Sequence, residues 1–266
     1  MKTVELACGI SMPLIGLGTW DLRGRQCEDT VRLALEMGCR LVDTAQMYGN
    51  EAETGRGIRA SGIPRREVFV TSKLFSPSRS HAKAKAGIRA SLQALGLDWL
   101  DLMLIHEPYE EAEEMYAALE EARAGGLVRA IGVSNFGIGR LERLIARTGL
   151  VPAVNQVELH VLHQQPELVT RMRRLGVHAQ AWSPLGCGRG GLLAIPALGE
   201  IARAHGRTPA QVALNFLTSQ GISVIPKSSR PERLAENLAC ADFTLSGDEM
   251  ARLRGLDQGA SLFGWY

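Results

Sequence analysis

The chain has 266 residues, 45% hydrophobic and 22% charged, with a formal net charge of +2; these are the proportions of an ordinary soluble globular protein with ample material for a core. Lys and Arg are scattered among acids, which leaves no electrostatic case for nucleic acid or an anionic membrane, and no apolar run approaches the roughly 20 residues that span a bilayer. The amino terminus lacks the apolar core of a secretory signal, and five spread cysteines (Cys8, Cys27, Cys39, Cys187, Cys240) without a C-x-x-C pair argue against a disulfide framework or structural zinc and for a reducing, cytoplasmic setting.

Length alone leaves two small domains or one large barrel open. Residues 3–12 alternate around Cys8-Gly9 and predict a β-hairpin. The apolar run 13–20 closes with glycine, Thr19 and Trp20. Residues 28–37 have helical spacing and stop at Gly38, a C-cap. A strand at 40–44 precedes a polar helix at 51–60. A strand at 68–73 and a helix at 80–95 follow, then a strand at 100–106 and a helix at 110–124. Next come a strand at 128–135, a helix at 139–147, a strand at 153–157, a helix at 166–175 and a strand at 177–182. Before the final strand (222–226) and helix (231–239) lies a long interval with two helical stretches, 196–205 and 208–219. Thr208-Pro209 opens the second as an N-cap with proline at the first helical position. The loop 185–191 is rich in glycine and lets backbone approach a ligand closely.

Eight strand-like runs, each followed by helical material, require crossover connections and a parallel sheet. Their number and the chain length match a (β/α)₈ TIM barrel. The N-terminal hairpin and the extra helices are additions to it, and no linker divides residues 1–266, so one domain is expected.

Active sites of such barrels lie at the carboxyl ends of the strands. Those ends carry Thr19-Trp20, Asp43-Thr44, Lys73, His106, Ser134-Asn135, Asn155-Gln156, Trp182 and Lys227-Ser228. A polar or aromatic side chain at every run-end points to a site more strongly than any single member, since a lone Tyr, Lys or His at such a place is most often structural.

The set Asp43-Thr-Ala-x-x-Tyr48-Gly-Asn-Glu51, Thr-Ser-Lys73, Leu-Ile-His106, Gly-Val-Ser134-Asn135-Phe, Asn155-Gln156, Trp182-Ser-Pro-Leu-Gly186 and Ile-Pro-Lys227-Ser228 resembles the aldo-keto reductases over essentially the whole chain. The short length and tail resemble the bacterial branch that includes diketogluconate and methylglyoxal reductases. The resemblance implies NADPH-dependent reduction of an aldehyde or ketone by a metal-free, monomeric barrel, with Asp43, Tyr48, Lys73 and His106 as the catalytic set. The chemistry fits those residue types. Hydride transfer to a carbonyl leaves charge on oxygen, which the site must stabilise and protonate. A free phenol, with a pKa of about 10, is a poor acid near neutrality. A Lys73 ammonium beside Tyr48 would lower it, Asp43 would keep the lysine charged, and His106 would orient the substrate carbonyl.

For the cofactor, Ser134, Asn135 and Gln156 match positions that bind the nicotinamide carboxamide, and Trp182 matches the aromatic that stacks on the ring, more often tyrosine. Thr19 and Trp20 border the same site, and Ser183, Leu185 and Gly186 begin the loop expected over the pyrophosphate. Lys227, Ser228 and Arg233 match the 2′-phosphate grip, and Glu236 and Asn237 the adenine contacts; two cations and a hydroxyl near a helix start suit a dianion. Trp20, Met47, Glu107, Tyr109 and the tail residues Phe263, Trp265 and Tyr266 are candidates for the pocket wall. Glu107 stands where many relatives carry tryptophan; facing the pocket, it would disfavour anionic substrates. Two alternatives remain at this stage: a protein that binds NADPH for a regulatory or structural purpose with little turnover, and a barrel with unrelated chemistry, which no His/Asp/Glu set of metal-ligand spacing supports.

Overall fold

A computed structural model describes residues 2–264. A two-stranded antiparallel hairpin, β1 (Thr3–Glu5) and β2 (Ser11–Pro13), comes first. Eight parallel strands follow in sequential order: β3 (Leu17–Gly18), β4 (Leu41–Asp43), β5 (Phe69–Leu74), β6 (Leu100–Ile105), β7 (Val128–Ser134), β8 (Val154–Glu158), β9 (His178–Trp182) and β10 (Ser223–Val224). Helices α1 (Gly24–Glu36), α2 (Glu51–Ala60), α3 (His81–Leu95), α4 (Ala112–Ala124), α5 (Ile138–Thr148) and α6 (Pro166–Arg174) occupy the crossovers, α7 (Pro196–His205) and α8 (Pro209–Thr218) both precede β10, and α9 (Pro231–Leu238) and α10 (Gly247–Arg254) complete the chain. The barrel closes where Ile15 pairs with Val224 and the Gly18 amide donates to the Pro226 carbonyl at 3.2 Å. Glycine is required at that seam: a Cβ on Gly18 would lie 2.6 Å from the Ile225 carbonyl oxygen.

Alternation along each strand sorts side chains between two cores. Leu41, Phe69, Leu102, Leu104, Ala130, Val154 and Ile225 fill the barrel, joined by Leu6 and Met12 from the hairpin at its amino end. Val42, Val70, Met103, Ile105, Val133, Val157 and Ala181 belong to the larger core shared with the helices. Two residues beyond the inward apolar set, on the same face, come Asp43, Lys73 after Thr71, His106, Ser134 after Gly132, and Gln156. The pleat that packs the interior therefore carries these polar groups to the barrel's carboxyl mouth.

The expected elements are present with altered ends. Helix α1 starts at Gly24 rather than 28, and the run 13–20 contributes Pro13 to the hairpin and only Leu17 and Gly18 to the barrel. Helix α10 was not anticipated, although Ser246-x-x-Glu249 forms a capping box, as Thr208 and Gln211 do for α8. Such caps contribute about 1 kcal/mol each. Among the described residues no helix is long and apolar enough to cross a membrane.

Candidate active site

Lys73 and Asp43 end neighbouring strands and are 0% and 1% exposed, with Nζ and Oδ1 2.5 Å apart. The ammonium also donates to the Thr44 carbonyl at 2.9 Å and the Tyr48 hydroxyl at 3.1 Å. Burial alone would push Lys73 down, but the Asp43 charge and the hydrogen bonds to Asp43 and Tyr48 reverse the balance and hold it above its ordinary value. Burial also raises the Asp43 carboxyl, offset by Lys73 and by Gln156, whose Nε2 donates to Asp43 Oδ2 at 2.7 Å. The pair is ionised at neutral pH, since a lone buried charge would cost far more than the pair.

Tyr48 follows β4 in a single helical turn closed by Gly49 in the left-handed region (φ 64°). Buried Asn50 anchors that turn, donating to the Thr19 and Leu22 carbonyls and accepting from the Thr44 hydroxyl. The Tyr48 ring meets Trp20 edge-on at 5.0 Å and His106 at 5.7 Å. One expectation is corrected here. Lys73 does act to lower the phenol, but burial outweighs it, with Asp43 and Glu107 adding to the upward push, so the Tyr48 pKa lies above its ordinary value. Removing water from around a phenolate disfavours it more than one ammonium, already paired with Asp43, can restore.

His106 is neutral. Burial and the nearby Lys73 charge bring its pKa down to about 3. Its Nδ1 is buried without a partner, which leaves Nε2 as the nitrogen that can address a ligand. Glu107, next in the chain, lies against Asn135: both carboxylate oxygens are 3.3 Å from Asn135 Nδ2. Burial raises its carboxyl to about 7.

The expected carboxamide-binding groups converge but are already engaged. Ser134 donates to the Gln156 carbonyl. Gln156 Nε2 bonds both Asp43 and Gln180, so its free acceptor, Oε1, is the part available to a ligand. Asn135, itself left-handed (φ 64°), accepts from Trp182 Nε1 at 2.7 Å and offers Nδ2 only to long contacts. The Thr19 hydroxyl is turned to the Asp43 carbonyl, a positioning use rather than a ligand contact. Trp20 (44% exposed) and Met47 (42%) form the open rim; Tyr109 packs under the Arg79 guanidinium at 5.5 Å.

Beyond Trp182 the backbone is left-handed at Ser183, Gly186, Cys187, Gly188, Gly190 and Gly191. Leu185 packs against the helical core. The loop is braced rather than free: a Cβ on Gly190 would meet Leu262 at 2.9 Å, and Arg189 lies over the Phe263 ring. Phe263 in turn meets Trp182 edge-on at 5.0 Å, while Trp265 and Tyr266 lie outside the described residues. The tail is held by Glu158, which accepts from the Ser261 hydroxyl at 2.6 Å and the Leu262 amide at 2.9 Å and pairs with buried His160. Glu158 was missed in the sequence although it continues the inward period of two from Gln156.

At the start of α9, Lys227, Arg230 and Arg233 are exposed, and among the described residues none has an ion-pair partner. No side chain caps this helix, and the Ser228 hydroxyl accepts from the Arg230 amide. Asn237 is buried and Glu236 half-buried on the same helix. Unpaired cations beside open helix amides suit an anionic group.

The model of the aldo/keto reductase family matches residues 14–258. The chain belongs to the aldo/keto reductase family. It is thereby an NAD(P)H-dependent oxidoreductase. An aldo-keto reductase of Mycolicibacterium smegmatis is 44% identical over 262 residues, covering 97% of this chain and 94% of the relative. Among solved structures, an aldo-keto reductase from a Medee basin deep-sea metagenome library superposes with a TM-score of 0.95 at 39% identity, covering 98% of this chain and 97% of that one. A Bombyx mori aldo-keto reductase in complex with NADP gives 0.93 at 30% identity, covering 98% and 94%.

Proposed function

We propose that this chain reduces an aldehyde or ketone with NADPH, with Tyr48 as the general acid and Lys73, Asp43 and His106 in its support. The observation that carries this reading is the Tyr48 hydroxyl 3.1 Å from a fully buried, Asp43-paired ammonium, across from a neutral His106. NADPH, when bound, supplies a hydride to the carbonyl carbon. The chain's own residues deal with the oxygen. His106 Nε2 and the Tyr48 hydroxyl are the donors for it, and a neutral imidazole donates without adding a competing charge. Because its pKa is raised, Tyr48 stays protonated before reaction. As negative charge gathers on the substrate oxygen the proton moves there, and the Lys73 ammonium stabilises the phenolate left behind. Asp43, clamped by Gln156, keeps the ammonium charged and fixed.

The preference for NADPH rests on the exposed Lys227, Arg230 and Arg233 around the α9 amides, which have no ion-pair partner among the described residues, with Ser228, Glu236 and Asn237 completing that end, and on the NADP-bound relative. Gln156 Oε1, Ser134 and Asn135 are the groups for the carboxamide, Trp182 for the ring, and Ser183, Leu185 and Gly186 for the pyrophosphate. We take the whole chain as one cytoplasmic, monomeric barrel domain, within the bacterial branch that resembles the diketogluconate and methylglyoxal reductases. The test is NADPH oxidation by purified protein over a carbonyl panel (methylglyoxal, glyceraldehyde, 4-nitrobenzaldehyde). Turnover of at least one is expected; tight NADPH binding with turnover of none would overturn the reading in favour of a binding protein.

A further inference from the structure

A half-buried carboxylate stands next to His106, and among the described residues no cation pairs with it. Glu107 touches the Asn135 amide through both oxygens, and Asn135 in turn holds Trp182, so the side chain belongs to the wall of the site. Burial is the main cause that raises Tyr48 and Tyr109, and the charge of Glu107 adds to the rise at both, least at Tyr48. The cations around it are committed elsewhere: Lys73 to Asp43, Arg79 to Glu111, and Arg140 to the Pro108 carbonyl. Among the described residues Glu107 forms no ion pair. A carboxylate removed from water without a cation is costly, and burial accordingly lifts this one to about 7. A ligand carrying positive charge would relieve that cost and a ligand carrying negative charge would add to it. The exposed Trp20 face at the rim also suits an ammonium.

We propose that Glu107 selects the substrate by charge, so that the pocket takes carbonyl compounds bearing a cationic amine and rejects those bearing a carboxylate. This rests on the reductase reading above and assigns a substrate class to the same site. Of these neighbours, Lys73 and Arg79 could serve Glu107 only by leaving an ion pair, and Arg140 only by giving up its hydrogen bond to the Pro108 carbonyl.

The test compares kcat/KM with NADPH at pH 8, where Glu107 is ionised, for 4-(trimethylammoniomethyl)benzaldehyde, 4-(carboxymethyl)benzaldehyde and neutral 4-nitrobenzaldehyde. Wild type, Glu107→Gln and Glu107→Asp are assayed together, and the cation-to-anion ratio is read because intrinsic reactivity cancels between proteins. One uncompensated charge at close range predicts a ratio about tenfold lower in Glu107→Gln, with Glu107→Asp staying near wild type. A Glu107→Gln ratio within about twofold of wild type overturns the proposal. Reduction by wild type of none of the three aldehydes, the neutral one included, overturns the reductase reading and this inference with it.

Discussion

Asp43→Asn removes one charge from the most buried ion pair among the described residues. Asp43 and Lys73 are 1% and 0% exposed and 2.5 Å apart, and the remaining acceptors near Nζ, the Thr44 carbonyl and the Tyr48 hydroxyl, are both neutral. Breaking such a pair from one side costs about 3–5 kcal/mol, since the buried partner must either stay charged uncompensated or give up its proton. Against a total of about 5–15 kcal/mol the variant should fold, with Tm lowered by about 10 °C. Burial, no longer opposed by a carboxylate, then drives the Lys73 pKa down. The neutral amine no longer supports a phenolate at Tyr48, and kcat should fall at least about 100-fold. The double variant Asp43→Asn/Lys73→Met leaves no orphan charge and should recover to within about 1–2 kcal/mol of wild type in urea unfolding, while remaining inactive. An Asp43→Asn cost below about 1 kcal/mol, or a double variant in which the two losses simply add, would refute the reasoning.

Two further outcomes follow from the same geometry. Arg233→Ala should weaken NADPH binding about 10- to 100-fold and leave NADH nearly unchanged, as read by fluorescence quenching; equal losses for the two cofactors would remove the 2′-phosphate assignment. Glu107 titrates near 7 in the folded protein against 4.5 unfolded, so the native state holds the extra proton between those values and wild-type stability falls as pH rises through that window. The full shift sets an upper bound of about 3 kcal/mol, which solvent screening at a half-buried side chain reduces to about 1–2 kcal/mol. Glu107→Gln should lack that decline when urea unfolding is compared at pH 4.5 and pH 8; parallel behaviour of the two proteins would contradict it.

Much of this site was legible from residue order because a parallel barrel converts sequence period into position. The inward pleat that places Leu41, Phe69 and Leu104 in the core delivers Asp43, Lys73 and His106 to one mouth two or four residues later, so listing run-ends found the set. Cross-barrel pairing was not legible. Gln156 reaches Asp43 from 113 residues away, and nothing local to Asn-Gln-Val announces it. The direction of the Tyr48 shift was misjudged for a related reason: the Lys73 contact is implied by spacing, whereas the desolvation that outweighs it depends on everything packed around the ring. Glu107 shows the same limit, because a loop residue has no period to tell which way it turns. Helix α10 was overlooked despite its Ser246/Glu249 capping box, since eight strand–helix units already accounted for the barrel.

That Tyr48 delivers the proton is tested most directly by Tyr48→Phe. The substitution removes one hydroxyl and keeps the ring against Trp20 and His106. With a carbonyl substrate that wild type reduces, kcat should fall about 10²- to 10⁴-fold while NADPH affinity, measured by fluorescence quenching, stays within about threefold. A Tyr48→Phe enzyme that kept wild-type kcat would contradict the assignment outright.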